Sequence, residues 1–526
     1  MIDPIAAEIV KNALVYASEE MGIAVRNSAY SPNVKERLDH SCALFDRYGN
    51  LVAQAEHIPV HLGSLPWGLR RILRVVEEER GGMREGEMWV TNDPYVSGTH
   101  LNDVTLVRPI FHRGALVGYA ANKAHHADLG GSVPGSMPVQ AGELFAEGLI
   151  VPPMRLVCED RIAGEIVALF RANSRTPDAR SGDLRAQVAG NHTGERRLLE
   201  LCERYGVENV ERAAARALDD SEKRMRAALR ALGDGVFEAI DYLEDAAGSP
   251  SIAIALRLEL RDGTARFDYT GTAAQLAMPL NAVLGVTLSG VHYALRAVTD
   301  PTIPMNEGCF RPVEVFVPEG TLLNPRRPAP VSGGNVETST RNADVVLQAL
   351  AKAAPDRVPA CSGGTMSNVM LGGTGADGRS WAFYETNGCG MGARPSADGI
   401  DGIQCHMTNT LNTPIEAIER EYPLRIVRYE LADGTGGAGR RQGGSGLVRA
   451  IELVEGSAHA TLLADRQTLA PPGALGGESG ACGRHELTRD DVTQRLPAKT
   501  SLDLEPGDVL TIQTPGGGGY GAPDSL

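Results

Sequence analysis

Apolar residues recur every three or four positions over residues 4–27, which is the spacing of an amphipathic helix. Asp3 before Pro4 is a typical helix start, with the aspartate as N-cap and the proline at the first helical position. Residues 64–80 repeat the pattern, and Ser64 stands where an N-cap is expected. The sequence therefore predicts two long helices near the start of the chain.

Between and after these helices the apolar residues alternate with polar ones, which is typical of half-buried strands. Residues 41–55 and 104–124 each predict a hairpin with a tight turn near the middle, and residues 88–91 predict a short strand. The first 150 residues therefore combine flanking helices with a sheet.

The pattern is predominantly helical and charged over residues 142–232. Two long amphipathic helices are predicted there, over residues 195–205 and 208–232. Further along, the predicted elements are a strand pair at 252–275, helices at 281–296 and 340–353, a hairpin at 447–465 and a last strand at 509–513.

These elements predict an α/β (mixed α+β) fold, with several mixed and antiparallel sheets, flanking helices and a large multi-lobed chain. We expect four regions. They are an N-terminal α/β lobe at 1–150, a helical region at 151–250, a mixed α/β lobe at 251–360 and a glycine-rich β lobe at 361–526.

Composition narrows the function classes. The chain has 526 residues and a net charge of −15, without the basic stripe that nucleic-acid binding requires. It contains no apolar run long enough for a membrane span, and its N-terminus lacks the basic leader of a secretory signal. We therefore expect a cytoplasmic chain with no nucleic-acid or membrane partner.

The eight cysteines are scattered and form no CxxC pair, so free thiols are expected. Cys389 lies among glycines and is the one thiol with a weak claim to reactivity. Glycine is abundant, at 61 of 526 residues against a typical ~7%. No glycine run matches a P-loop or a GxGxxG motif, so no ATP site is predicted in this chain.

The strongest candidate chemistry is a cluster of imidazoles and carboxylates. His100 and Asp103 are three residues apart and lead into one strand of the 104–124 hairpin, and His125 follows the other strand. Because the two ends of a hairpin meet, these side chains should converge on a divalent metal, with zinc, manganese and iron as the candidates. Alternation places His125 and His126 on opposite faces, and His125 is favoured as the ligand.

A fourth ligand is expected from the segment around Asp39, which precedes the first hairpin. His57 and His61 are also four residues apart, but Pro59 lies between them and we interpret the pair as structural.

Several stretches of the sequence together resemble the hydantoinase B family. They are DPIAAEIVKNALVYASEEMG, ERLDHSCALFD, HIPVHLGS, NDPYVSGTHLNDVTLVRPIF, AHHADLGG, GGNVETSTR, NTPIEAIEREYPLRI and PGGGGYG. They extend from about residue 3 to residue 521, and several are long and unusual. The family includes B components of N-methylhydantoinase and 5-oxoprolinase, and subunits of acetone and acetophenone carboxylases.

The resemblance implies a B-type subunit of a hetero-oligomer. Its partner would be a hydantoinase A-type ATPase subunit, which uses ATP to phosphorylate the substrate, so that ATP is not bound by this chain. The family's metal ligands fall on Asp39, His100, Asp103 and His125, with Asp93 as a substitute for one carboxylate.

The implied reaction is the opening of a cyclic amide (a hydantoin, 5-oxoproline or another lactam) after phosphorylation of its oxygen by the partner. A metal-activated water would attack the activated carbon. His126 or Asp128 would orient the water or move a proton. Gly333, Gly334 and Asn335 would help to hold the phosphorylated substrate.

Three alternatives stay open at the level of sequence. The first is a subunit of an ATP-dependent ketone carboxylase, although such subunits tend to be longer than this chain. The second is a non-catalytic scaffold with a structural metal. The third is a metallohydrolase that acts without ATP or a partner.

Overall fold

The computed structural model describes residues 3–55, 57–376 and 378–523, and in them helices and sheets are mixed as predicted. The α-helices are α1 (Pro4–Ser28), α2 (Pro32–Lys35), α3 (His61–Arg80), α4 (Pro94–Ser97), α5 (Gly164–Ala172), α6 (Pro177–Tyr205), α7 (Val207–Leu232), α8 (Leu284–Val298), α9 (Glu337–Ala353) and α10 (Ile415–Glu421). Single 3-10 turns occupy Leu144–Ala146, Glu307–Phe310 and Gly333–Asn335.

Of the two N-caps predicted for the first long helices, one is confirmed and one is wrong. The Asp3 carboxylate accepts a hydrogen bond from the Ala6 N–H at 3.1 Å, which confirms the predicted cap of α1. The predicted cap of α3 is wrong, because the helix begins at His61 and Ser64 lies inside its first turns. The Ser64 hydroxyl donates to the Val60 carbonyl instead, as hydroxyls within helices often do.

A seven-stranded antiparallel sheet forms the N-terminal part. Its strands are β1 (His40–Asp46), β2 (Leu51–Gln54), β3 (Met88–Thr91), β4 (Asp103–His112), β5 (Ala115–His125), β6 (Met154–Cys158) and β7 (Arg161–Ile162). The strand order is β2-β1-β5-β4-β3-β6-β7, so the two predicted hairpins are confirmed and pair with each other through β1 and β5.

Alternation along β5 sends its side chains to two different cores. Ala120 and Ala124 pack with apolar residues of α1 and α6, whereas Tyr119 and Ala121 pack with residues of α3. The sheet is therefore covered on both faces, and the α3 face is the one on which Lys123 and His125 lie.

The prediction of a continuous helical region over 142–232 is wrong in two respects. Strands β6 and β7 lie within it, and α6 begins at Pro177 rather than at residue 195. The first half of α6 buries polar side chains, including Asp183, Gln187 and Asn191, so it lacks the apolar spacing that would have revealed it.

A second sheet follows α7, with strands β8 (Gly235–Glu244), β9 (Pro250–Arg261), β10 (Thr264–Asp268) and β11 (Val313–Phe316) in the order β11-β10-β9-β8. Its apolar face packs with α7, α8 and α9 in the largest hydrophobic core of the described residues. The predicted pair at 252–275 is confirmed as β9 and β10, whereas β8 and β11 were not predicted.

The C-terminal part contains strands β12 (Asn368–Thr374), β13 (Ser380–Glu385), β14 (Leu424–Ala432), β15 (Gly446–Leu453), β16 (Ser457–Leu463), β17 (Arg484–Arg489), β18 (Val492–Leu496), β19 (Lys499–Leu504) and β20 (Val509–Gln513). They form two sheets, in the orders β13-β12-β16-β19 and β14-β15-β20-β17-β18. The predicted hairpin at 447–465 is therefore wrong, because β15 and β16 belong to different sheets.

The terminal glycine run is explained by close packing of backbones. A Cβ at Gly517 would lie 2.1 Å from the Met391 carbonyl oxygen, and one at Gly443 would lie 2.0 Å from the Gly517 carbonyl oxygen. Neighbouring N–H groups of these segments donate to each other's carbonyls, including Gly444 to Met391. The run is therefore a packing element, and its N–H groups are engaged with protein.

The four-region division stays a prediction, although β6 and β7, which fall in the 151–250 region, belong to the first sheet. Within the described residues, none of the long helices carries the uninterrupted apolar stretch that crossing a bilayer requires.

Candidate metal centre

The candidate centre lies at one end of the central hairpin of the first sheet. Asp103 is the first residue of β4 and His125 the last of β5, and the two are direct partners across the ladder. His100 lies three residues before Asp103, in the turn that follows α4. The pairing register of β4 and β5 therefore brings Asp103 and His125 together, as the hairpin predicted.

Three candidate ligand atoms face one another at close range. The Nε2 atom of His100 lies 3.2 Å from Asp103 Oδ1 and 3.1 Å from His125 Nδ1, and His125 Nδ1 lies 3.4 Å from Asp103 Oδ1. Ligands at ~2.0–2.2 Å around a tetrahedral ion stand about 3.3–3.6 Å apart, close to these separations. All three side chains are buried.

Hydrogen bonding indicates which atoms carry the lone pairs. The Nδ1 atom of His100 lies 3.3 Å from the Ser332 carbonyl oxygen, which can only accept, so Nδ1 donates and Nε2 of a neutral ring is an acceptor. That acceptor then faces the Asp103 carboxylate and the ring of His125. Acceptors that face each other in a buried space need a cation between them, and a divalent metal fits this donor set.

Electrostatics at Asp103 agree with this arrangement. Burial by itself would raise the pKa of Asp103, but the surrounding imidazoles of His100, His125 and His61 hold that pKa well below its ordinary value. Burial lowers the pKa of His125, although Asp103 and Asp39 oppose the shift. The centre therefore favours an ionised carboxylate beside a neutral imidazole, which are the forms that bind metals.

Asp39, the predicted fourth ligand, lies beside this group without belonging to it. Its carbonyl accepts from the His125 N–H at 3.0 Å, and its side chain is buried. Burial raises the pKa of Asp39, against the opposing charges of His125 and Arg37. A nearby cation would stabilise the ionised form of this buried carboxylate. The role of Asp39 as a metal ligand stays a prediction.

His61 was interpreted as a structural residue, and that interpretation missed its position. Its Nε2 lies 3.3 Å from Asp103 Oδ2, and its Nδ1 lies 2.8 Å from the Ser41 hydroxyl. Because α3 begins at His61, Pro59 and His57 lie before the helix, and the two histidines do not share a helical face. The presence of His61 in the HIPVHLGS stretch was the one signal in the sequence that could have indicated this role.

Lys123 braces the turn that carries His100. Its ammonium donates to the Ser97 carbonyl and to the Thr99 hydroxyl, both at 2.9 Å. Burial lowers the pKa of Lys123 to about 7, although Asp103 opposes the shift. The sequence placed this lysine in a strand and did not reveal that it reaches across to residues 97–99.

The C-terminal part of the chain supplies a wall of the centre. The Tyr384 ring stacks on His125 with centroids 4.6 Å apart, and its hydroxyl donates to Asn368 at 3.0 Å. Asn368 in turn donates to the Glu337 carboxyl at 2.8 Å. Burial, and then the charge of Asp465, raises the pKa of Glu337 to about 8. Tyr384 and Asn368 thus connect His125 to Glu337 at the start of α9.

The predicted substrate loop, Gly333 to Asn335, lies next to the residue that contacts His100. Cβ atoms at Gly333 and Gly334 would come within 2.8 Å and 1.9 Å of backbone oxygens of Pro279 and Asn281, so close packing explains both glycines. The Oδ1 atom of Asn335 is buried and has no partner among the described residues. Of the three, Asn335 offers a polar group; substrate binding by this loop stays a prediction.

The two predicted proton-transfer residues lie on the other side of the sheet. The Nε2 atom of His126 is 2.9 Å from Gln187 Oε1 in α6, and Asp128 pairs with Arg175 at 2.9 Å. Burial and the charge of Arg180 lower the pKa of His126 to about 4. His126 thus contacts α6 and Asp128 contacts the segment between α5 and α6, so their proposed catalytic role has no geometric support.

Two further candidates also have structural roles here. Asp93 caps α4 by accepting from the Tyr95 N–H at 3.1 Å, and it pairs with Arg327. Cys389 is buried, and a hydrogen bond with Cys405 together with burial raises its pKa well above the ordinary value. Neither the substitute ligand nor the reactive thiol is therefore favoured.

The chain is similar to known proteins over nearly its whole length. The family model described as hydantoinase B/oxoprolinase matches residues 3–523. An uncharacterised protein of Methanocaldococcus jannaschii is 47% identical over 99% of this chain and 91% of its own length. The 5-oxoprolinase 1 of Arabidopsis thaliana is 36% identical over 99% of this chain, which spans only 42% of that longer protein.

Two further matches indicate the kind of protein that shares this fold. A Pseudomonas protein, provisionally named as the B component of a D-/L-hydantoinase, is 31% identical over 99% of this chain and 90% of its own length. The crystal structure of an ATP-dependent caprolactamase from Pseudomonas jessenii superposes with a TM-score of 0.93 at 31% identity, covering 99% of this chain and 92% of that one.

Proposed function

Because the chain belongs to the hydantoinase B/oxoprolinase family, we propose that it is the hydrolytic B-type subunit of an ATP-dependent cyclic amide hydrolase. Its substrate would be a hydantoin, 5-oxoproline or another lactam. The observation that carries the proposal is the buried group of His100, Asp103 and His125. That group lies in a chain that resembles, over nearly its whole length, an ATP-dependent caprolactamase and the B component of a hydantoinase.

In the proposed division of labour, a separate A-type subunit consumes ATP. It transfers a phosphoryl group to the amide oxygen, which removes the resonance that makes an amide carbon resist attack. Water then adds to the activated carbon in this chain, and the ring nitrogen leaves with a proton, which gives an acyl phosphate. A second water hydrolyses this acyl phosphate to the carboxylate and inorganic phosphate. A divalent ion at the centre would supply Lewis acidity and lower the pKa of the attacking water.

The residues of this chain supply the holding and orienting. His100, Asp103 and His125 would hold the ion, and Asp39 would complete or balance the site. His61 orients the Asp103 carboxylate, and the Ser332 carbonyl fixes the ring of His100. Tyr384 covers one face of His125 and excludes water from that side. Such fixed positioning is what lets a metal site act without reorganising.

The decisive experiment is reconstitution with the A-type ATPase that a neighbouring gene would encode. The complex should open a cyclic amide and release ADP together, and either subunit alone should do neither. His100→Ala and Asp103→Ala should lose ring opening and bound metal. His192→Ala, a partly exposed histidine on α6 that pairs with Glu195, is the matched control and should keep both.

Other outcomes would overturn the proposal in distinct ways. Ring opening without ATP would indicate a metallohydrolase that needs no partner. Incorporation of labelled bicarbonate into a ketone would indicate a carboxylase. Unchanged metal content in both ligand variants would show that the centre is elsewhere.

A further inference from the structure

Helix α1 carries large apolar side chains on two opposite faces. One face packs into the core through Val10, Leu14, Met21 and Val25, which are buried. The other face presents Ile5, Ile9, Tyr16 and Ile23, whose exposed fractions are 71%, 49%, 63% and 52%. We call these four residues the α1 stripe.

The members of the α1 stripe are aligned along the helix. At 3.6 residues per turn, Ile9, Tyr16 and Ile23 fall within about 40° of one another, because each is seven residues from the next. Single exposed apolar residues are normal on a protein surface, but an aligned row of large ones usually marks an interaction site. A spacing of seven is also the repeat with which two helices pack side by side.

The spacing of the stripe is symmetric, and this suggests the partner. Ile9 and Ile23 are equidistant from Tyr16. We propose that α1 packs antiparallel against α1 of a second copy of this chain, around a two-fold axis that passes near Tyr16. Each Ile9 would then contact Ile23 of the other copy, and the two Tyr16 rings would meet at the axis. A self-complementary surface of this kind is what an isologous dimer requires.

The charges beside the stripe are complementary to the same arrangement. Glu8 and Arg26 are eighteen residues apart, which is five full turns, so they lie on the same flank of α1. They stand almost symmetrically about Tyr16. In the antiparallel pair, Glu8 of one copy would therefore lie within one turn of Arg26 of the other, and the contact would occur twice. Glu8 currently pairs with Lys11 of its own helix.

Two other occupants fit the observations less well. A membrane-surface helix carries lysines and arginines beside its apolar face, whereas α1 carries Glu8, Glu19 and Glu20 in a chain of net charge −15. A partner that delivers a substrate to the metal centre would need an open path to it. The α1 stripe is on the exposed side of the helix. On the packed side, Gly22 lies so close to His57 that no open path to the centre remains there.

The size of the surface predicts a weak dimer. A helix of 25 residues is about 37 Å long, and pairing it buries roughly several hundred Å² per chain. A standard stable interface buries about 800 Å² per partner. We therefore expect the purified full-length chain to dimerise reversibly and to dissociate on dilution, whether or not the proposed hydrolase activity is correct.

Sedimentation velocity over a wide range of concentration tests this directly. Tyr16→Asp would bring two negative charges together at the axis, so the dissociation constant of the dimer should rise at least about tenfold. Val492→Asp changes a residue of similar exposure, 69%, on the distant β18 and should leave the constant unchanged. A chain that is monomeric at all concentrations, or a dimer that Tyr16→Asp leaves intact, overturns the proposal.

Charge reversal and crosslinking test the antiparallel geometry itself. Glu8→Arg and Arg26→Glu should each weaken the dimer, and the double variant should recover affinity. In a Cys158→Ser background, which removes the exposed native thiol, Tyr16→Cys should form a disulfide-linked dimer on mild oxidation. Ile9→Cys alone should not, whereas Ile9→Cys with Ile23→Cys should.

The remaining outcomes identify another occupant. Binding of the chain to anionic vesicles that is lost in Tyr16→Asp would mean that the stripe meets a membrane. A chain that is monomeric alone, but whose Tyr16→Asp variant no longer associates with the A-type ATPase, would mean that the stripe binds that ATPase. Either result contradicts a dimer of this chain.

Discussion

His61 illustrates how a residue outside the ligand set can control it. Its ring bridges the Ser41 hydroxyl and the second carboxylate oxygen of Asp103, while the first oxygen faces His100 and His125. A carboxylate held at one oxygen presents the other in a fixed direction. Such outer hydrogen bonds typically change metal affinity by about 10–100-fold.

His61→Ala should therefore weaken metal binding by about 10–100-fold without unfolding the protein, because the ligands themselves remain. Competition with a chromogenic chelator measures the affinity, and thermal unfolding checks the fold. His57→Ala is the matched control, since His57 is a neighbouring histidine whose Nε2 lies 3.9 Å from Glu19. Equal metal affinity in the two variants would contradict the role given to His61.

Glu337 is a second residue whose state depends on its surroundings. It accepts from the Met366 N–H at 3.1 Å and from Asn368 at 2.8 Å, with Asp465 and Lys499 nearby. Burial raises its pKa from an ordinary value of 4.5 to about 8. Since the folded pKa is raised, the protonated form is the one that the fold favours.

The sign of the resulting pH dependence follows directly. Below pH 4.5 the carboxyl is protonated in both states and its contribution to stability is fully present. As the pH rises from 4.5 to about 8, only the unfolded chain loses the proton, so stability falls. Glu337→Gln should flatten this fall in urea midpoints measured across the range. Glu143→Gln, at an exposed site, should not, and a wild-type slope in Glu337→Gln would contradict the assignment.

At the scale of elements, the centre depends on turns that are held by close backbone packing. The segment of Ser332 to Asn335 reaches His100 because Gly334 fits against the Asn281 carbonyl, where a Cβ would lie 1.9 Å away. Glu147 holds the same segment by accepting from the Val331 and Ser332 N–H groups, both at 2.8 Å. The position of the Ser332 carbonyl is thus set by packing.

Gly334→Ala should lower the free energy of unfolding by about 1–3 kcal/mol, because backbone atoms would have to move. It should also weaken metal binding, since the Ser332 carbonyl would shift away from His100. Urea unfolding measures the first effect. Gly142→Ala is the control, because a Cβ there meets open space. Normal stability with only a raised KM would instead favour a direct role in substrate binding.

Helix α6 shows why an element can be hidden from pattern analysis. Gln187 donates to the Val104 carbonyl at 2.8 Å and contacts His126 at 2.9 Å, and Asn122 donates to Asn191 at 2.9 Å. Polar side chains can occupy an interior when they are hydrogen bonded there. The buried face of the first half of α6 contains several such hydrogen-bonded polar residues. The sequence of that face is therefore polar and shows no apolar period.

At the scale of the whole molecule, a buried charge network joins parts that are distant in sequence. Arg341 of α9 lies 3.4 Å from Asp241 of β8 and 3.6 Å from Asp344. Arg466 lies 2.8 Å from the same Asp241, and His406 lies 3.1 Å from Asp344. The network thus ties α9, whose first residue is Glu337, to β8 and to the C-terminal part.

Removing one member of such a network leaves the other charges buried without compensation. Arg341→Leu should therefore destabilise the chain by about 3–5 kcal/mol, as measured by denaturant unfolding. Arg230→Leu breaks an exposed pair with Asp262 and should have little effect. If the two variants have equal stability, the network does not join the parts as described.

The sequence alone was enough to locate the core of the centre. Hairpin periodicity placed Asp103 and His125 at ends that meet, and the alternation of a strand separated His125 from His126. These inferences succeeded because they depend on local rules, namely the two-residue period of a strand and the return of the chain at a tight turn. The family resemblance succeeded for a related reason, since it rests on contiguous motifs.

Only the tertiary structure decided what surrounds that core. His61 reaches Asp103 from the start of α3, Tyr384 reaches His125 from β13, and the Ser332 carbonyl reaches His100 from a glycine turn. The assignments of His126 and Asp128 lost their support for the same reason, because His126 contacts α6 and Asp128 contacts the segment between α5 and α6. Contacts between residues hundreds of positions apart depend on how sheets and helices stack, and no local period in a sequence records that stacking.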